Sequence, residues 1–231
     1  MTAASEAKPR ARVPRQKAGG RPRGRPASDA ASAVPEERVL GLALRRFAEC
    51  GYEGTTLRDL ARELGVSHNL LNVRFGSKAE LWRRSVDDAV VRYGTPVFAT
   101  FDAPGLDDER RLRTLVHRFC RWAAETTDVV GLTYVEARRR TWRLDYIVDA
   151  YLHPFKSQLD ALLARVAAIR PVRALSTTAF MSMMVQGVGF YFASEPMLER
   201  LGVADELGAG KREEQIQLLA EFILGALLPS Q

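Results

Sequence analysis

Within one short stretch, His68-Asn69-Leu70-Leu71-Asn72-Val73-Arg74, the chain collects side chains that could do chemistry on something outside itself. Read as a helix at 100° per residue, Leu71 and Phe75 share an inward face while Asn69, Leu70, Val73 and Arg74 project outward. An amide, a guanidinium and two apolar groups turned to solvent add little to the helix's own stability. They suit a DNA groove. Asn pairs with adenine edges, Arg reads guanine or holds phosphate, and Leu or Val touches thymine methyls. His68 reads as a local polar or phosphate contact, since Asn69 and Leu70 bring no second metal ligand. Other spacings carry less. Asp145, Asp149 and His153 at i, i+4 and i+8, and His117 with Cys120 at i, i+3, fit a solvated face and a satisfied pair as well as they fit metal ligands. The Gly187-x-Gly189 pair has no strand before it, as a nucleotide loop requires, and the Arg138–Arg140 run suits a solvated helix end. With no GxSxG, HExxH, phosphate loop or convergent acid–base pair, the sequence points away from an enzyme and calls for no cofactor.

The flanking residues must hold that helix in place. Leu57, Leu60, Ala61 and Leu64 recur at helical spacing and predict a preceding short helix, with Thr56 as N-cap and Asp59 three residues on. Gly65 falls where the chain turns sharply, a position that favours φ > 0, and Ser67 is placed to cap the helix after it. Ser77 and Glu80 form a capping box that starts a longer helix at Lys78. Upstream, a helix begins at Pro35 with Glu36 and Glu37 in its first turn, buries Leu40, Leu44 and Phe47, and ends at Gly51.

The ordered set Thr55, Thr56, Leu64, Gly65, Val66, Ser67, Phe75, Ser77, Lys78 and Leu81 resembles the helix-turn-helix of the TetR family of transcriptional regulators. The resemblance implies an all-α fold: a three-helix DNA-binding head over 35–81 and a helical regulatory and dimerisation domain over 82–231. It also implies that Thr56 and Arg58 meet the DNA backbone or adjacent bases, that Asn69, Leu70 and Val73 face bases, and that Lys78 grips a phosphate. Ser67, His68, Asn72 and Arg74 complete the expected DNA-binding set. The family commonly has a small hydroxylated residue where Leu70 stands, a tyrosine at Asn72 and a histidine or tyrosine at Arg74, so no operator sequence carries over. By the same resemblance the chain is a dimeric repressor, released from a palindromic operator when an unknown small-molecule effector tilts the helix beginning at Lys78.

Helical periodicity continues to the end of the chain. Helices are expected from Lys78 to about Tyr93, 108–126, 129–142, 144–169 with a bend at Pro154, 172–193 and 213–228. The last is apolar on nearly all sides, with Ile216, Leu219, Ile223 and Leu227 on one stripe and Leu218, Phe222, Leu224 and Leu228 on another. A second copy is the economical cover, so Met184, Val188, Tyr191, Ile216, Leu219, Phe222, Ile223 and Leu227 are expected at a homodimer interface, with Gly187 and Gly189 as points of close helix approach. His117, Trp122, Tyr134, Trp142, Tyr146, Tyr151, His153 and Phe155 are candidates for an effector pocket, with core packing as their competing role.

Charge is distributed unevenly. Through Ala33 there are eight Lys and Arg against two Asp and Glu, which accounts for the net charge of +6 carried by all 231 residues. In this proline- and glycine-rich tail, 1–34, Arg21, Arg23 and Arg25 sit in a Gly-Arg-Pro-Arg-Gly-Arg-Pro segment resembling an AT-hook, which would lay arginines into a narrow minor groove. The same residues also read as a non-specific polycation, and the alternative functions are an architectural DNA-binding protein using this tail and, after it, an enzyme on a helical scaffold. Cys50 and Cys120 are the only cysteines and suggest neither a disulfide framework nor a zinc module, in keeping with a reducing cytoplasm. The uncharged run Ala174–Ser194 carries Ser176, Thr177, Thr178, Ser182 and Gln186 and has no partner span, so no membrane role is expected.

Overall fold

The computed structural model describes residues 34–203, 208 and 210–229, and among them all regular structure is helical. Arg21, Arg23 and Arg25 lie outside the described residues. Four helices open the chain: α1 (Glu36–Gly54), α2 (Leu57–Leu64), α3 (His68–Phe75) and α4 (Lys78–Ala89). Gly51 takes φ 71° inside α1, and just beyond the helix the Thr55 hydroxyl donates to the carbonyls of Arg46 and Gly51. Thr56 caps α2 by accepting from the Asp59 N–H at 3.1 Å. At the other end Gly65 adopts φ 69°, and the Val66 N–H reaches back to the Ala61 carbonyl at 2.9 Å, closing the helix as a left-handed glycine terminus does. Ser77 accepts from the Glu80 N–H at 3.1 Å, but its own N–H goes to the Phe75 carbonyl, so only half of the expected capping box forms.

Beyond Ala89 the chain does not stop before Gly94 and Pro96 as expected. It widens into a π-helical turn, Val90–Gly94, and continues as α5 (Thr95–Phe98). The wide turn accommodates a proline whose ring and missing N–H would break regular α winding. Pro154 is treated the same way: α8 (Trp142–Ile147) passes through a π turn, Val148–Leu152, into α9 (His153–Ala167). Between these lie α6 (Asp108–Glu125), capped by Asp107, and α7 (Thr127–Glu136). α7 ends before the expected Trp142 because the Glu136 carboxylate receives Arg143 at 2.7 Å and Thr141 at 3.1 Å, folding the connection over itself. The helix expected from Val172 starts at Thr177 instead. Arg173 donates its N–H to the Leu227 carbonyl, and Ser176 caps the start of α10 (Thr177–Ser182). A third π turn, Met183–Val188, leads into α11 (Gly189–Ala193), followed by α12 (Glu195–Arg200) and α13 (Arg212–Leu227). None of the described helices is long and apolar enough to cross a membrane.

Two clusters of buried side chains organise these elements. One fills the head with residues of α1 to α4, runs along α4 to Ala89, and takes in Val129, Leu132 and Ile147. The other fills the body between α6, α9, α10, α11 and α13. Here the expected dimer face must be redrawn. Met184, Val188, Ile216 and Leu227 are buried in the chain's own core, and Tyr191, Leu219 and Ile223 pack half-buried against it. Of the eight expected residues, Phe222 alone is exposed, at 71%. The exposed large apolar side chains of these two runs are Met183 and Phe190 on the run 177–193 and Leu218 and Phe222 on α13. The glycine pair divides as well: a Cβ on Gly189 would meet Val130 Cγ1 at 2.6 Å, an approach within the chain, whereas Gly187 faces open space.

Candidate nucleic-acid interface and the cavity behind it

Helix α3 is seated by Leu71 and Phe75, both buried, against the core of the head. That anchorage turns Ser67, His68, Asn69 and Val73 outward, with Val73 76% exposed. Leu70 is half-buried, and the Asn72 amide lies 3.3 Å from His68 Nδ1 across one turn, so these two polar groups share one outer surface. Ser67 occupies the N-cap position but makes no side-chain cap bond. On α2, Arg58 is exposed and Thr56 is occupied with Asp59, both accepting its N–H and donating to its carboxylate at 2.6 Å. This hydrogen bond, helped by Arg62, holds the Asp59 carboxyl below its ordinary range.

Two expected DNA contacts are turned inward. Arg74 does not project from the groove-facing surface: it donates to the Val34 carbonyl at 2.8 Å and to Glu36 at 3.2 Å, with its side chain 26% exposed. Glu36 also pairs with Arg84 of α4, so one carboxylate at the start of α1 ties together the end of α3 and the middle of α4. Lys78 likewise bends away from solvent. Its ammonium donates to the carbonyls of Tyr52 at 3.0 Å and Thr55 at 3.2 Å and lies 4.1 Å from the centre of the Tyr52 ring. These carbonyls lie at and just beyond the C-terminal end of α1, where a cation is favoured. Both side chains position the head.

The head meets the body through aromatic and polar contacts that sequence reasoning missed. Trp142 packs edge-on against Tyr52 and Trp82, at ring separations of 5.7 and 5.2 Å, and Tyr146 meets Trp82 at 6.0 Å. Arg143, buried and paired with buried Glu136, lies 4.3 Å from the Tyr52 ring centre. Asp87 of α4 accepts hydroxyl hydrogen bonds from both Tyr146 and Tyr151. Burial, reinforced by the bond to Asp87, raises the Tyr146 hydroxyl to about 12 and pushes Tyr151 up as well. Nothing in local spacing joins Asp87 to tyrosines some sixty positions later; only the folded seam does.

Behind α4 lies an apolar cavity of about 90 Å³. Val86 and Val90 line it from the α4 side, Phe119 and Trp122 from α6, and Tyr151 and Phe155 from the α8–α9 run. Trp122, Tyr151 and Phe155 therefore stand where a pocket was expected. The other five candidates do not. Trp142 is in the aromatic seam and Tyr146 is committed to Asp87. Tyr134 is exposed and pairs with Phe190 at 5.7 Å, His117 meets Glu221 at 2.9 Å, and His153 is exposed, 3.9 Å from Asp149. A wider cleft of about 630 Å³ opens between α1, α4 and the start of α7, where Arg45 pairs with Asp128 and Arg92 with Asp88.

A three-helix head with an outward-facing third helix, joined by one continuous helix to an all-helical body, has the arrangement of a helix-turn-helix head on a helical domain. Residues 39–84 match the family model described as bacterial regulatory proteins, tetR family. The chain is 36% identical over 67 residues to the uncharacterized HTH-type transcriptional regulator YezE of Bacillus subtilis (strain 168), covering 29% of this chain and 34% of that protein. It is 30% identical over 53 residues to IcaR of Staphylococcus epidermidis, the HTH-type negative transcriptional regulator of the biofilm operon icaADBC, covering 23% of this chain and 29% of that one. The match thus spans about a third of the length of these curated relatives. Over nearly the whole chain the fold is similar to that of KstR2 of Mycobacterium tuberculosis, a ketosteroid transcriptional regulator, with TM-score 0.65 at 20% identity, covering 84% of this chain and 94% of that one.

Proposed function

We propose that this chain is a dimeric repressor whose paired heads enter successive major grooves of a palindromic operator and leave it when a small molecule occupies the cavity behind α4. The carrying observation is the division of α3, with Leu71 and Phe75 buried beneath it while Asn69 and Val73 stand in solvent. A helix so divided is built to present side chains to a partner's edges. Asn69, Leu70 and Val73 supply base contacts, and Ser67, His68, Asn72, Thr56 and Arg58 supply contacts to phosphates and neighbouring bases. Arg74 and Lys78 act through the placement of α3 and α4. Met183, Phe190, Leu218 and Phe222 form the apolar face that a second copy covers.

Control runs along α4. Val86 and Val90 touch the cavity while Asp87 between them takes the hydroxyl of Tyr151, itself a cavity residue, so a change in the cavity bears directly on the helix that carries the head. Dimeric heads must match a half-site spacing of about one helical turn, so a small tilt costs affinity. IcaR's naming as a negative regulator supports repression, and KstR2's as a ketosteroid regulator supports an apolar effector. Selection of bound genomic fragments followed by hydroxyl-radical footprinting tests the reading. A short two-fold protected site is expected; broad protection of A·T-rich DNA would favour an architectural role, and no protection would end the DNA reading.

A further inference from the structure

We infer that the molecule received by the cavity behind α4 is neutral and largely apolar, and that it carries one hydrogen-bond acceptor of ketone, ester or amide type which takes the indole N–H of Trp122. The inference rests on the proposed role of this cavity as the effector site and names the chemistry of its occupant.

The wall decides the charge. No Asp, Glu, Lys, Arg or His lines the cavity, so an ionised group placed there would lose its water without gaining a counter-charge. An anion is disfavoured twice, because the Asp87 carboxylate stands directly behind the Tyr151 hydroxyl.

The wall also decides the polar contact. Three lining side chains carry a hydrogen-bonding group: Thr133, Tyr151 and Trp122. Thr133 donates its hydrogen to the Val129 carbonyl at 2.8 Å, and Tyr151 donates its own to Asp87. The Trp122 Nε1–H is buried and has no acceptor among the described residues. An indole nitrogen donates and never accepts, so what would satisfy it is an acceptor. A buried donor without a partner costs free energy that a suitable ligand recovers, whereas a hydrocarbon of the same shape leaves that cost in place.

A ring-sized occupant would have to push the wall outward, and the wall is built where the helices change winding. The space of about 90 Å³ is smaller than the roughly 150 Å³ of an apolar cavity that takes up benzene. All three π turns place residues on it, Val90 and Gly94 from one, Tyr151 and Leu152 from another, Val185 from the third. Wide turns of this kind are where helices change winding, and the cavity lies on the seam between the two cores, with Val129 and Leu132 from one and Phe119 and Phe155 from the other.

The test uses the full-length protein and three matched probes: cyclohexanone, methylcyclohexane and cyclohexanecarboxylate. With the tryptophan side chains labelled with ¹⁵N, the three indole N–H signals are assigned by single Trp→Phe variants. Cyclohexanone is expected to bind most tightly and to shift the Trp122 signal strongly; methylcyclohexane should bind about tenfold more weakly and leave that signal near its free position. Trp122→Phe should weaken cyclohexanone to the level of methylcyclohexane without altering the latter. Because the wild-type spectra report the contact directly, a variant that fails to fold does not remove the test. Equal binding of ketone and hydrocarbon with a silent Trp122 signal would overturn the acceptor, and preferred binding of the carboxylate would overturn the neutral class. Failure of all three probes would overturn this inference and the cavity's effector role together, while leaving operator recognition to be judged by the footprint.

Discussion

Arg74 shows how a side chain that reads outward on a helical wheel can be recruited inward by its neighbours. Its guanidinium has two acceptors within reach, the Val34 carbonyl and Glu36, and a charge-assisted bond of this kind contributes about 1.5–3 kcal/mol. Arg74→Ala is therefore expected to lower the stability of the head by about 1–2 kcal/mol and to weaken all operator sequences alike. Asn69→Ala should instead relax preference at one base position, with a discrimination loss of about 1–3 kcal/mol. Gel shifts over a panel of operator variants separate the two patterns, and a single-position effect for Arg74→Ala would restore it to the groove. The cysteines behave oppositely. Burial pushes the Cys120 thiol up to about 12, while Cys50 is exposed. At pH 8 the native protein should take up one equivalent of maleimide, at Cys50, and the second only after unfolding, because the thiolate is the reacting species. Two fast equivalents in the native state would contradict the burial of Cys120.

Among the elements, those set by local rules were legible in advance and those set by tertiary contacts were not. The turn at Gly65 and the cap at Thr56 follow from conformational preferences within a few residues and stand as read, whereas the capping box at Ser77 forms by half and Ser67 makes no cap bond. The continuation of α4 past Pro96 was not legible, because a proline ordinarily marks a helix end and the π turn that lets the helix pass it has no spacing signal of its own. Half of the expected dimer residues lie in the monomer's own core for a related reason: apolar periodicity reports that a face is covered without saying by what. The pocket was legible only as a set of aromatic side chains, and three of eight line it. Tyr151 joins that cavity to α4, and Tyr151→Phe leaves Asp87 with Tyr146 as its remaining hydroxyl donor. The expected result is a loss of about 1.5–3 kcal/mol in denaturant unfolding together with altered operator affinity, although residue 151 is far from α3 in sequence. Lost stability with unchanged operator affinity would reduce the Tyr151–Asp87 bond to a structural one.

For the whole molecule, the exposed pair Leu218 and Phe222, together with Met183 and Phe190, predicts where two copies meet. Phe222→Arg should shift sedimentation toward the monomer while preserving helix content, whereas Ile216→Ala, made in the buried face of the same helix, should destabilise by about 2–5 kcal/mol. A dimer unaffected by Phe222→Arg would place the interface elsewhere. Deleting residues 1–33 removes the chain's excess positive charge and should lower affinity for many DNA sequences alike, flattening the salt dependence by about one unit of log slope for each phosphate that the tail neutralises. An unchanged slope would mean that the tail is not engaged. The bond from Arg74 to the Val34 carbonyl gives this deletion a length scale. It moors the leading segment beside the last turn of the recognition helix, and Arg25 stands nine residues before Val34. Even fully extended, that tether spans about 30 Å, which bounds how far from Val34 any DNA contact made by Arg25 can lie.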